Sequence, residues 1–126
     1  MKRTPVITTK APGAIGPYSQ GISSGELVFV SGQTPLKADG AMAPGGVGEH
    51  TEQCLGNIRE VLIAAGLTMN DVVKTTVFMT DLAQFAAMNE VYGKHFRAPF
   101  PARSTVQVSA LPKGADVEIE AVAVRP

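Results

Sequence analysis

Arg103 lies inside a strand-like segment, directly after the turn Pro99-Phe100-Pro101. An arginine fork matches a carboxylate with two parallel hydrogen bonds and stays charged at any working pH. The competing use of such a residue is a structural ion pair with a nearby glutamate. Glu118 and Glu120 share one face of the last strand-like run with Val122 and Val124. A half-buried carboxylate needs a partner or a raised pKa, and paired carboxylates serve acid/base chemistry. Strand glutamates are also commonly solvated or paired across strands. Ser31-Gly32 ends a hydrophobic strand, where a small hydroxyl beside glycine either opens the backbone to a ligand or simply closes the strand. Tyr18, after Gly16-Pro17, either lines a pocket or caps the core. Asn89, in a helical stretch, either binds a ligand or faces water.

Other chemistries find little support. His50 and His95 are far apart and lack metal-ligand company, so no zinc site is expected. Cys54 falls on an apolar helix stripe and reads as core packing. Gly45-Gly46-Val47-Gly48 follows no clear strand and does not fit a phosphate-binding loop.

The 126 residues suit one domain, 1–126, with enough chain to bury its own core. Eleven basic residues balance eleven acidic ones, and there are seven aromatics. A nucleic-acid partner would ordinarily bring a basic surplus and stacking rings, so composition argues against one. A single cysteine permits no intrachain disulfide, which suits a reducing compartment. After Met1-Lys2-Arg3 the chain is polar and proline-broken, and no apolar run nears the ~20 residues that cross a bilayer. The expectation is a cytoplasmic protein with no membrane partner.

These residues must be positioned by a small set of elements. Residues 5–9 read as an edge strand, 10–17 as loop, 18–23 as a strand, and Ser24-Gly25-Glu26 as a hairpin turn. The run 27–32 is strongly β and ends at glycine; 35–48 reads as loop. In 49–66, Thr51, Leu55, Ile58, Leu62 and Ala65 share one helix face, widened by Cys54 and Val61, with Gly66 as the stop. The β-branched run 71–80 predicts a strand. Asp81 and Gln84 resemble a capping box for a second helix reaching about Phe96, with Leu82, Phe85, Met88, Tyr92 and Phe96 on its face. Residues 102–109 and 116–124 alternate as strands, joined by a link, 110–115, short enough for a hairpin. The order is β-β-β-α-β-α-β-β: an α+β fold with a mixed β-sheet and two helices on one face. The half-apolar face left uncovered is a candidate oligomer interface, which closed cyclic assembly would hide.

Seven segments together resemble the RidA (YjgF) family. They are Gly16-Pro17-Tyr18-Ser19-Gln20-Gly21, Val30-Ser31-Gly32-Gln33, Asn57-Ile58 with Ala65-Gly66, Val77-Phe78-Met79-Thr80-Asp81, Met88-Asn89-Glu90-Val91-Tyr92, Pro101-Ala102-Arg103-Ser104-Thr105-Val106 and Val117-Glu118-Ile119-Glu120-Ala121-Val122-Ala123. The likeness spans essentially the whole chain. It implies a chorismate-mutase-like fold, a homotrimer with clefts between subunits, and hydrolysis of reactive 2-imino and enamine acids, such as 2-aminoacrylate and 2-iminobutyrate, to 2-keto acids and ammonia without a cofactor.

By the same resemblance, Arg103 grips the substrate carboxylate and Glu118 orients or polarises the attacking water. Tyr18, Ser31, Gly32 and Asn89 contact the substrate. Thr105 stands where many deaminating members carry cysteine, a position that serves largely through its backbone. The departure puts cysteine-specific reactivity in doubt here. The rival expectations are an endoribonuclease or translation inhibitor, and a non-enzymatic small-acid-binding or chaperone-like module.

Overall fold

Six strands and two helices follow one another along residues 2–126, which the computed structural model describes. They are β1 (Arg3–Val6), β2 (Gly21–Ser24), β3 (Leu27–Gln33), α1 (Val47–Ala64), β4 (Val72–Met79), α2 (Phe85–Tyr92), β5 (Ala102–Gln107) and β6 (Val117–Val124). They form one sheet in the order β1-β2-β3-β6-β4-β5. All neighbours are antiparallel except β4 and β5. The expected order of elements holds, as does the α+β class.

Alternation along the central strands sorts the sheet into two faces. Val28, Val30, Val77, Met79, Val117, Ile119, Ala121 and Ala123 are buried against the helices. From α1 they receive Cys54, Leu55, Ile58, Val61 and Leu62, all fully buried; from α2 they receive Met88 and Tyr92. The opposite face has no covering layer among the described residues. Leu27, Phe29 and Val106 are about two-fifths exposed there (41%, 43% and 40%), and Val122 and Val124 are half-buried.

One expectation is overturned. The link after β5 is not a hairpin, because β4 lies between β5 and β6. Burial explains the arrangement: β4 buries Val72, Thr75, Val77 and Met79 and must be central, whereas β5 has no buried residue and takes the edge. The link crosses the end of β4, with Val108 N bonded to Met79 O (2.8 Å) and Thr80 N to Asp116 O (3.1 Å). Crossing two strand spacings, about 10 Å, is an easy reach for such a link.

Boundaries move for identifiable reasons. The first strand lies earlier than 5–9, because the buried Gln20 side chain captures the chain beyond it: its amide takes Thr8 N (2.9 Å) and donates to Thr8 O (3.0 Å) and Pro12 O (2.8 Å). The second strand starts only at Gly21. The first helix begins at Val47, where Glu49 Oε1 accepts from Gly46 N (2.9 Å). The second helix ends at Tyr92, and a turn follows from Gly93. The two following strands are each trimmed at their ends. Leu82 and Phe85, expected on the core face, are 40% and 38% exposed.

Candidate active site

Arg103 lies on the helix-facing side of β5, level with Thr75 of β4. Three residues of α2 at spacing i, i+4, i+7 hold it. Asn89 Oδ1 accepts from Arg103 Nη1 at 2.8 Å. The guanidinium carbon stands 4.6 Å from the Tyr92 ring centroid and 5.5 Å from that of Phe85. Such stacking suits a planar, weakly hydrated cation. Tyr92 is itself locked: its hydroxyl lies 2.7 Å from Thr75 Oγ1, and its ring packs on Phe96 at 4.7 Å. Burial raises the Tyr92 phenol above its usual pKa. Among the described residues Arg103 has no carboxylate partner. The fork therefore keeps free N–H groups toward a cleft lined by Asn89, Tyr92, Gly93, Phe100 and Pro101. Two residues further along the same face, Thr105 Oγ1 is buried without a hydrogen-bond partner among the described residues.

Glu118 belongs to a different cavity, of about 340 Å³, shared with Tyr18, Gln33, Leu36, Asp39 and Lys113. It points to the uncovered face, level with Phe78 of β4. A one-residue bulge in β3 between Val30 and Gln33 sets Gly32 beside it. A Cβ on Gly32 would stand 2.9 Å from Glu118 Oε2 and 3.0 Å from its Cδ. A side chain at this position would displace the Glu118 carboxylate, so the glycine gives it room. Burial, and secondarily the charge of Glu120, raises the Glu118 pKa above the ordinary carboxylate value. Lys113 takes a left-handed backbone (φ 58) just before Gly114 (φ 70) in turning the chain into this wall.

The structure thus separates the expected site residues into two groups. Arg103, Asn89 and Thr105 belong to one; Glu118, Gly32 and Tyr18 belong to the other. Arg103 and Glu118 lie on opposite faces of the sheet and do not meet within one chain. The Asn89 carboxamide oxygen is turned to Arg103, and the Ser31 hydroxyl is spent on the Ser19 carbonyl (2.6 Å), which ties β3 to the segment carrying Tyr18. Tyr18 is 52% exposed at the mouth of its cavity. Phe85 and Tyr92 escaped the sequence reading as site residues because they resemble ordinary core positions; their shared spacing with Asn89 was the available signal.

Cys54 is fully buried, and burial first, then Asp116 and Glu118, pushes its thiol well above the usual range. It is a packing residue without nucleophilic character. Among the described residues no group of three or more His, Cys, Asp or Glu is placed to hold a metal. No helix among them is long and apolar enough to cross a membrane.

A family model described as Endoribonuclease L-PSP matches residues 8–125. The RutC family protein y4sK of Sinorhizobium fredii is 52% identical over 94% of both chains. The 2-iminobutanoate/2-iminopropanoate deaminase of Mus musculus is 48% identical, covering 98% of this chain and 92% of the relative. The crystal structure of Escherichia coli TdcF with bound serine superposes with a TM-score of 0.91 at 46% identity, covering 98% of this chain and 99% of that one. With likeness of this extent in sequence and fold, the chain belongs to the RidA (YjgF) family of imine and enamine deaminases.

Proposed function

We propose that the protein hydrolyses small 2-imino acids, formed from enamines such as 2-aminoacrylate, to 2-keto acids and ammonia, at sites built between copies of the chain. The observation that carries this reading is the separation of the two half-sites. A preset guanidinium without a carboxylate partner among the described residues stands on one face and a carboxylate of raised pKa on the other. A neighbouring copy against the uncovered apolar face would bring one chain's Arg103 edge to the other's Glu118 cavity. A closed homotrimer of the chorismate-mutase-like kind does this three times over and hides Leu27, Phe29 and Val122. The deaminase names of the relatives support the reaction, and the serine in the TdcF structure supports a small amino-acid-like ligand.

In the proposed mechanism the Arg103 fork takes the substrate carboxylate and fixes the imine carbon. Glu118, ionised, accepts a proton from a water that adds to the protonated imine, giving a neutral carbinolamine. The now protonated Glu118 returns the proton to the amine nitrogen. The C–N bond then breaks as the hydroxyl oxygen closes to a carbonyl, its proton leaving with ammonia as ammonium. A carboxyl that serves alternately as base and acid works best with a pKa raised toward the operating pH, the direction in which Glu118 is shifted. The unpartnered Thr105 hydroxyl offers a further bond beside the carboxylate, and Tyr18 closes the cavity mouth. An imine carbon is already electrophilic, so positioning supplies much of the rate and no cofactor is called for. The single buried thiol suits a cytoplasmic setting.

The test generates 2-aminoacrylate or 2-iminobutyrate with a dehydratase and follows its loss. Wild type accelerates the loss; Arg103→Ala abolishes the acceleration and Glu118→Ala reduces it. An Arg103→Ala protein of normal turnover sinks the assignment. RNA cleavage, the second reading, is favoured by the description of the family model. Cleavage that disappears in Arg103→Ala ties it to the same cleft, and cleavage that persists points to a contaminant.

A further inference from the structure

One wall of the Glu118 cavity is the loop of residues 35–43, and α1 holds that loop at two points. The loop closes on itself through Ala43 N to Pro35 O (2.9 Å) and Lys37 N to Ala41 O (2.8 Å), with Leu36 and Met42 bridged between them. Its residues Leu36, Asp39 and Gly40 line the cavity. The first anchor is Asn57, whose Nδ2 donates to the Leu36 carbonyl at 2.8 Å. The second is His50, two turns earlier on α1. Its Nε2 lies 2.8 Å from the Ala43 carbonyl oxygen and its Nδ1 lies 2.7 Å from Asp116 Oδ1. Asp116 stands just before β6, two residues from Glu118. The His50 side chain is only 12% exposed.

A carbonyl and a carboxylate both accept hydrogen bonds. A neutral imidazole has one N–H, so it can serve one of these partners while turning a lone pair on the other. Both contacts are satisfied together only by the doubly protonated ring. The charged groups facing it are Asp116, on the approach to β6, and Glu49, beside it on α1 with its own carboxylate turned to Gly46 N. The loop presents the Ala43 carbonyl, and Cys54, one turn further along α1, is held as a neutral thiol.

We propose that His50 is a positioning residue. Its ring staples the 35–43 loop to the start of β6 and keeps the cavity wall in place over Glu118. The inference rests on the reading of that cavity as half of the deamination site. It predicts weaker substrate binding, with the chemical step unchanged, when the ring is replaced.

The experiment compares wild type, His50→Gln and Asp116→Asn, the last retaining an acceptor oxygen but not the charge. Amide exchange of residues 36–43, at fixed pH, accelerates in His50→Gln while the central strands keep their protection. In the deamination assay KM rises about three- to tenfold in His50→Gln with kcat nearly unchanged, and Asp116→Asn falls between. Unchanged loop exchange in His50→Gln, or an unchanged KM, overturns the proposal. A wild type that deaminates nothing sinks the reading of the cavity instead, and the exchange measurement still decides the staple.

Discussion

The Arg103 and Glu118 half-sites are built on opposite principles. Arg103 is braced from one helix by a hydrogen bond and two aromatic rings, one of them locked to the sheet through Thr75. Its charge is not in question, so the fold has only to aim it. Glu118 has no salt-bridge partner among the described residues and lies over a glycine, in surroundings that oppose its ionisation. The fold tunes its proton affinity and leaves its position to the space above Gly32. The group proposed to bind is made rigid, and the group proposed to exchange protons is held where its charge is disfavoured.

The sharpest way to test whether the halves combine between chains is to supply them separately. Arg103→Ala and Glu118→Ala proteins, each impaired alone, are unfolded together at equal amounts and refolded. If each site takes Arg103 from one subunit and Glu118 from the next, random assembly leaves about a quarter of the sites intact, and roughly that share of wild-type activity returns. Activity that stays at the level of the separate variants breaks the comparison, because both groups would then have to act within one chain.

Gly32→Ala addresses the Glu118 half alone. The added methyl collides with the far end of a flexible side chain, and the glycine has no positive φ to lose. Thermal stability should therefore change little while kcat drops, on the order of tenfold or more, because a misplaced catalytic group is costly even at ångström scale. A large loss of stability with normal kcat in the remaining folded protein would show that the carboxylate needs no such seat.

Tyr92 separates stacking from hydrogen bonding in the Arg103 half. Tyr92→Phe keeps the ring but strands the buried Thr75 hydroxyl, costing about 1–3 kcal/mol of stability with KM nearly unchanged. Tyr92→Leu removes the cation–π surface, worth about 0.5–2 kcal/mol, and should raise KM by several-fold. Thermal unfolding and steady-state kinetics on both variants check the pair. Equal KM values in the two would mean that Asn89 and Phe85 suffice to aim the arginine.

The order of elements and the buried faces of α1 and β6 were legible because period and burial agree there: Leu55, Ile58 and Leu62 on the helix, Val117, Ile119 and Ala121 on the strand. The pairing of β5 was not, since a short link between two alternating runs looks like a hairpin until one asks which strand has enough apolar residues to be central. Arg103 and Glu118 were legible as chemical types, but their opposite faces were not. That depends on strand neighbours, and it is invisible in a chain read by itself. His50 was read only as a failed metal ligand, because Asp116 and the Ala43 carbonyl meet it through tertiary structure.

The smallest effect concerns the cost of Glu118's discomfort. Its pKa is raised in the folded protein, mainly by burial. Between the ordinary carboxylate value and that raised one, the native state holds more protons than the unfolded state, so stability falls as pH rises through this window. Above it the penalty is fully present. Below the ordinary value both states are protonated and the penalty is gone. Glu118→Gln removes the charge with little change of shape, so it should melt about 1–3 °C higher than wild type at neutral pH, the half-exposed setting keeping the gain small. The gain should vanish in acid. Melting curves from acid to neutral pH check the sign, and a variant less stable than wild type at neutral pH would mean that the ionised carboxylate holds the fold together instead of straining it.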